Sequence, residues 1–334
     1  MSPRTKSASR FASTLLALVL ICGVLILSYE ARADWPERTI TIIVPFPAGG
    51  ANDLLGRLLA AELAPKLGQN IVVDNRAGAV GNIGLSDAAR AAPNGYTLLV
   101  TTNAVLINPL FDSSLSKTAY DTFKDFTPIA YLGAAPNFII TRSSSDVTSV
   151  ADLIARAKTN PGKLSYASPG VGSSSQLAAE LFKLRANIDI NHISYDGSQP
   201  AMMAVLSGAT DIASVGIGGL LDHIRSGELR GLVQTGSQRW VDLPDVPTMA
   251  EAGIPKVVAE TSQMFLAPTG TPSLITEKLA QAAQQIMQRS DIQAKMIQAG
   301  FLVQWEGPYE LHVRMVRETS MWKEIIERAG LTTK

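Results

Sequence analysis

Two stretches of this chain are built alike, and together they fix most of what it can fold into. Val44-Pro45-Phe46-Pro47-Ala48-Gly49-Gly50-Ala51-Asn52-Asp53 and Ser165-Tyr166-Ala167-Ser168-Pro169-Gly170-Val171-Gly172-Ser173-Ser174-Ser175 each lead from an apolar, strand-like run through a Pro/Gly turn into an amphipathic helix. Small residues at a helix N-terminus leave backbone N–H groups unpaired and let a ligand approach the main chain, which makes an anion site. Two such loops more than a hundred residues apart predict two lobes gripping one acidic ligand.

The intervening pattern supports this. Thr39 to Val44 reads as a buried strand, and Leu54, Leu55, Leu58, Leu59 and Leu63 follow at helical spacing until Pro65 and Gly68. Asn52 or Asp53 is the expected helix cap. Ile71 to Val73 and Tyr96 to Thr101 are further strands around a helix near Ser86 to Ala92. Strand and helix in alternation predict an α/β fold with a mixed, mostly parallel sheet. The alternation resumes after Phe126-Thr127-Pro128 with Phe138 to Ile140, a helix over Val150 to Lys158, and strands at Leu164 to Ala167, Ile190 to Tyr195, Asp211 to Val215 and Leu229 to Gln234. The end of the chain reads as mostly helical, with Thr271 capping a helix whose first position is Pro272 and a last helix after Gly307-Pro308. These helices are expected to pack back on the first sheet. The chain then crosses between lobes twice, near Ala130 to Asn137 and near Glu260 to Pro268, giving lobe 1 from 34–135 plus 261–334 and lobe 2 from 136–260.

Residues 1–33 stand apart. Arg4, Lys6 and Arg10, the apolar run Phe11 to Leu27 and Ala31-Arg32-Ala33 read as a secretory signal peptide cleaved after Ala33. Its removal takes four of 29 basic and one of 29 acidic residues and also Cys22, the single cysteine, so the exported chain has neither disulfide nor thiol chemistry. A slightly acidic, evenly mixed remainder without a basic run makes a poor nucleic-acid binder, and no nucleic-acid partner is expected. The expected compartment is the periplasm.

Chemistry beyond binding finds little footing. His192, His223 and His312 lie in no metal-spaced motif, no G-x-S-x-G elbow occurs, and Asn75 to Gly84 carries G-x-x-G-x-x-G instead of a nucleotide fingerprint. No catalytic residue, metal site or cofactor is expected. Asp196 and Asp211 stand near strand ends that could face a cleft, and Trp240 and Trp322 read as packing. A backbone-only site is sufficient in energy: charge-assisted hydrogen bonds contribute roughly 1.5–3 kcal/mol each, a helix N-terminus about 0.3–1, and a micromolar complex needs about 8.

Trp35-Pro36-Glu37-Arg38, Val44 to Gly50, Asn75-Arg76-Ala77-Gly78, Gly81-Asn82-Ile83-Gly84, Ala92 to Thr97, Asp125 to Ala130, Pro161 to Leu164, Leu243 to Thr248 and Ala267 to Pro272 are similar, in order, to the motifs of the Bug family. These are the periplasmic solute receptors of tripartite tricarboxylate transporters. The resemblance implies a type II periplasmic-binding-protein fold, capture of a small carboxylate, and membrane transporter subunits as partners of a monomer. It puts ligand contacts on Phe46, Pro47, Ala48, Gly49 and Gly50, on Asn82, and on Gly170, Val171, Gly172, Ser173 and Ser174; Asn52 and the Ser168 hydroxyl join them on residue type. The chain departs from the family at Asn52, Ser173, Gln176, Ser214 and Val215, and has Ser262-Gln263-Met264 where Trp-Phe-Gly is usual. A signalling receptor, and less so a hydrolase of carboxylated substrates, are the competing functions. A bulky residue at Gly50 or Gly172 is expected to abolish binding with little loss of folding.

Overall fold

The computed structural model describes residues 35–111, 120–254 and 257–331; the signal-peptide reading of residues 1–33 falls outside them. From Thr39 onward the chain forms one compact body holding two sheets. The strands are β1 (Ile40–Val44), β2 (Ile71–Asn75), β3 (Thr97–Thr102), β4 (Phe126–Ala135), β5 (Asn137–Arg142), β6 (Ser165–Ser168), β7 (Asn191–Ser194), β8 (Ile212–Gly216), β9 (Leu229–Gln234), β10 (Thr261–Pro268) and β11 (Leu302–Glu306). The α-helices are α1 (Ala51–Leu67), α2 (Asn82–Ala89), α3 (Ala104–Ile107), α4 (Thr122–Asp125), α5 (Val150–Thr159), α6 (Ser174–Ala186), α7 (Ser198–Ser207), α8 (Leu220–Arg225), α9 (Ser273–Met287), α10 (Ser290–Gln298) and α11 (Pro308–Arg328).

The first sheet has the order β11-β4-β10-β3-β1-β2 and the second β7-β6-β8-β5-β9. Both are mixed. Four of six strands share a direction in the first, and four of five in the second. The chain passes from one sheet to the other through Pro136, between β4 and β5, and returns into β10. Asn137 knits these crossings together: its Nδ2 donates to the Ala259 carbonyl at 2.8 Å and its Oδ1 accepts from the Ser175 hydroxyl at 2.6 Å.

Several local expectations shift. β4 includes Pro128, whose missing N–H is tolerated because the ladder to β10 slips between Phe265 and Leu266, opposite the proline. α1 runs through Pro65 to Leu67 and ends at left-handed Gly68, while its cap is Gly50, not Asn52 or Asp53. α2 begins at Asn82, earlier than the Ser86 start read from apolar spacing. Pro272 is itself the cap of α9. β11 interrupts the expected helical end; its five residues are all half-buried and pair antiparallel with β4.

The last helix also departs from a simple return to the first sheet. Leu311 and Met315 of α11 join the core of β1, β3, β4 and β10, whereas Trp322, Ile325 and Ile326 join the core formed by α5, α6 and the second sheet. At 21 residues α11 is about 31 Å long at 1.5 Å per residue, enough to reach both. Trp240 is likewise fully buried, on the opposite face of the second sheet.

Candidate functional site

A cleft of about 690 Å³ opens at the C-terminal ends of strands from both sheets, the place where open α/β sheets bind ligands. From the first sheet it is lined by the loop after β1, by Thr102 and Asn103 after β3, and by Thr261 and Gln263 of β10. The second sheet contributes the loop after β6, Gly197 to Gln199 after β7, and Gly216 to Gly219 after β8. Apolar Leu54, Val80, Ala104, Ile107 and Ala135, together with Gln298 to Phe301, supply the rest of the wall. No Asp, Glu, Lys, Arg or His lines it among the described residues.

Three helices of ten residues or more, α1, α6 and α7, begin at this cleft. Their earliest intrahelical bonds are closed by Leu54, Leu177 and Ala201. The N–H groups of Ala51 and Asn52, Ser174 and Ser175, and Ser198 and Gln199 therefore precede the ladder and stand where helix dipoles favour negative charge.

The first loop is braced from behind. Asp53 is buried; its Oδ2 accepts from the Gly49 N–H at 2.8 Å and Arg57 Nε at 3.0 Å, and its Oδ1 accepts from Asn75 Nδ2 at 2.9 Å. Asn75 Nδ2 also donates to the Phe46 carbonyl at 3.2 Å. Burial opposes the charge, but the bonds from Arg57, Gly49 and Asn75 hold the Asp53 carboxyl below its ordinary value. Asp53 thus acts like the returning acid of a capping box, set one residue further back. Gly49 has φ +80°, a conformation natural to glycine, whereas Gly50 is extended at φ −76°.

The second loop hangs on a polar chain. Gly172 N–H donates to Gln176 Oε1 at 2.7 Å, Gln176 Nε2 lies 3.2 Å from His192 Nδ1, and His192 Nε2 lies 2.7 Å from Ser168 Oγ. Because Gln176 Oε1 is taken by Gly172, its Nε2 donates, so neutral His192 carries its proton on Nε2 and donates it to Ser168. Burial is the main cause pushing the His192 pKa below its ordinary 6.5. Such a group binds protons more readily when unfolded. Its stabilising contribution is complete above pH 6.5 and is lost as pH falls through the lowered folded value. Melting temperatures scanned from about pH 8 to 5 are expected to fall more steeply in the wild type than in His192→Gln, and equal slopes would remove His192 from this role.

Of the residues singled out by sequence, Phe46, Gly49, Gly50, Asn52, Gly172, Ser173 and Ser174 line the cleft. Pro47, Ala48, Gly170 and Val171 fall outside the lining, and Val171 is exposed. Asn82 is buried, its Oδ1 accepting from Asn108 Nδ2 at 3.0 Å. Ser168 is fully buried on His192. The Ser173 hydroxyl oxygen caps Gln176 N–H, which leaves its proton to donate, while the Ser174 hydroxyl lies 2.7 Å from that of Thr261. Asp196 is not in the lining, and Asp211 is occupied at the far end of β8 by the Ser165 N–H and hydroxyl. Sequence reasoning passed over Gly197 to Gln199 and Gly216 to Gly219, although both repeat the strand, glycine, helix signature of the first two loops.

Ser168 and His192 resemble part of a hydrolytic triad only in composition. The serine is fully buried and is not in the cleft lining, and the second imidazole nitrogen faces an amide where a triad has a carboxylate.

Residues 55–331 match the model of the tripartite tricarboxylate transporter family receptor. The chain is 34% identical to Protein BugT of Bordetella pertussis over 322 residues, 95% of this chain and 98% of that one. Among solved structures it is similar to Rpa4515 of R. palustris with adipate, at TM-score 0.79 and 33% identity over 89% of this chain and 99% of the other. MatC of Rhodopseudomonas palustris with bound malate gives TM-score 0.75 and 31% identity, over 87% of this chain and 100% of the other. Family, relatives and fold agree along almost the whole length of the two-sheet body, and the chain belongs to the tripartite tricarboxylate transporter family of receptors.

Proposed function

We propose that this protein is a periplasmic receptor, without enzymatic activity, that captures a small carboxylate between its sheets and delivers it to a tripartite tricarboxylate-type membrane transporter. The observation that carries this reading is a cleft lined by helix N-termini and hydroxyls with no charged side chain among the described residues, so main-chain donors supply the counter-charge. Relatives holding adipate and malate support it. In this reading residues 1–33 are an export signal removed after Ala33, lobe 1 comprises 34–135 plus 261–334, lobe 2 comprises 136–260, and a monomer closes over its ligand. Phe46 is an apolar wall, and Gly49, Gly50, Gly172, Ser173 and Ser174 surround the carboxylate, with Pro47, Ala48, Gly170 and Val171 shaping their turns and Asn82 and Ser168 supporting them from behind.

A thermal-shift screen of mono-, di- and tricarboxylates and aromatic acids tests the reading. A ligand at a hundred times its Kd stabilises the folded form by about 2.7 kcal/mol, which raises Tm by roughly 4 °C in a protein of about 300 residues. No shift with any acid would reject a carboxylate receptor, and turnover of a tight binder would reject the non-enzymatic assignment.

A further inference from the structure

Gln263 sits on β10, the strand between β3 and β4 in the first sheet, with its backbone in register with Thr102 and Gly133. Alternation along the strand puts Thr261 and Gln263 on the cleft side and Ser262 on the other, where its hydroxyl meets the Glu318 carboxylate. Gln263 has no exposed surface in the residue as a whole, yet it lines the cleft, and its Oε1 has no partner. Its Nε2 is directed to the Thr261 carbonyl at 3.5 Å. Turning the amide over would set two acceptors against each other, so the unpartnered end of this side chain is an acceptor.

A buried acceptor without a donor is costly and calls for one from whatever occupies the cleft. The lining holds no charged side chain among the described residues, which narrows the choice: a ligand's ammonium would find no carboxylate among them, whereas a neutral hydroxyl or amide N–H needs none. Thr261 does not compete for the role, since its hydroxyl is engaged with Ser174. We infer that Gln263 is a specificity-determining residue that selects carboxylates carrying, in addition, a hydroxyl or amide N–H, whose proton its Oε1 accepts. This inference rests on the carboxylate reading above and names the ligand's second functional group.

Matched probes separate the two claims: malate against succinate, 2-hydroxyglutarate against glutarate, 3-hydroxybenzoate against benzoate, and adipate monoamide against adipate monomethyl ester. Affinities are measured by calorimetry on wild type and on Gln263→Leu, with Gln263→Met as a second variant of similar length should the leucine impair folding. The expected result is one or more pairs in which the donor-bearing acid binds the wild type at least tenfold more tightly, a difference that shrinks to within twofold in the variant. Pairs that bind the wild type equally, or a preference that survives in the folded variants, would overturn the role of Gln263 and leave the carboxylate receptor standing. Failure of all eight probes to bind would overturn the role of Gln263, and together with no thermal shift from any acid of the wider screen would overturn both.

Discussion

Gly50→Leu is expected to weaken ligand binding by a hundredfold or more while shifting Tm by no more than about 2 °C, the change that roughly 1 kcal/mol makes in a protein of this size. Gly50 has φ −76° and ψ 167°, a conformation open to every residue, and a Cβ placed there has the Pro47 carbonyl at 3.4 Å as its nearest neighbour. The new side chain therefore costs folding little and occupies space at the mouth of α1. Calorimetry alongside a melting curve checks both halves, and a folded variant with undiminished affinity would take the first loop out of the site. Gly172 does not share this property, contrary to the sequence-based expectation. At φ +82°, with the Phe111 ring 3.4 Å from its would-be Cβ, a bulky residue strains the backbone and the second core together.

Asp53→Ala is expected to cost about 2–3 kcal/mol of stability, because it strands the Gly49 N–H and the Asn75 amide that the carboxylate now satisfies. The Arg57 side chain is 51% exposed, so its ion pair with Asp53 is screened and contributes the smaller part. Ligand affinity is expected to fall as well, since the loop that Asp53 ties down carries Phe46, Gly49 and Gly50. The carboxyl is held below its ordinary value of 3.8; its contribution is therefore complete above that pH and disappears as pH falls through the lowered folded value. Urea unfolding of wild type and Asp53→Asn between about pH 5 and 2 should show a steeper loss of stability with acid in the wild type than in the variant, and matching profiles would contradict the assignment.

The two loops were legible because glycine and proline at a strand-to-helix turn leave a chemical signature in one short window. Alternating sheet and helix was legible for the same reason: Ile40 to Val44 and the leucines of α1 announce their periods locally. What escaped depends on partners distant in sequence. β4 hides because Pro128 argues against a strand until the irregular ladder with β10 is seen. The Asp53 and His192 networks join residues 22 and 24 positions apart through side-chain geometry that no spacing rule encodes. Gln263 was visible only as a departure from a family pattern; its significance comes from an unpartnered oxygen, a property of packing alone.

A single rod at the end of the chain is shared property of both hydrophobic interiors, with Leu311 and Met315 invested in one and Trp322, Ile325 and Ile326 in the other. Melting either interior strips an apolar face from the other, so the halves are bound to one cooperative fate instead of two. Leu311 and Trp322 stand three turns apart on this one helix, so a single element fastens both interiors along a common axis.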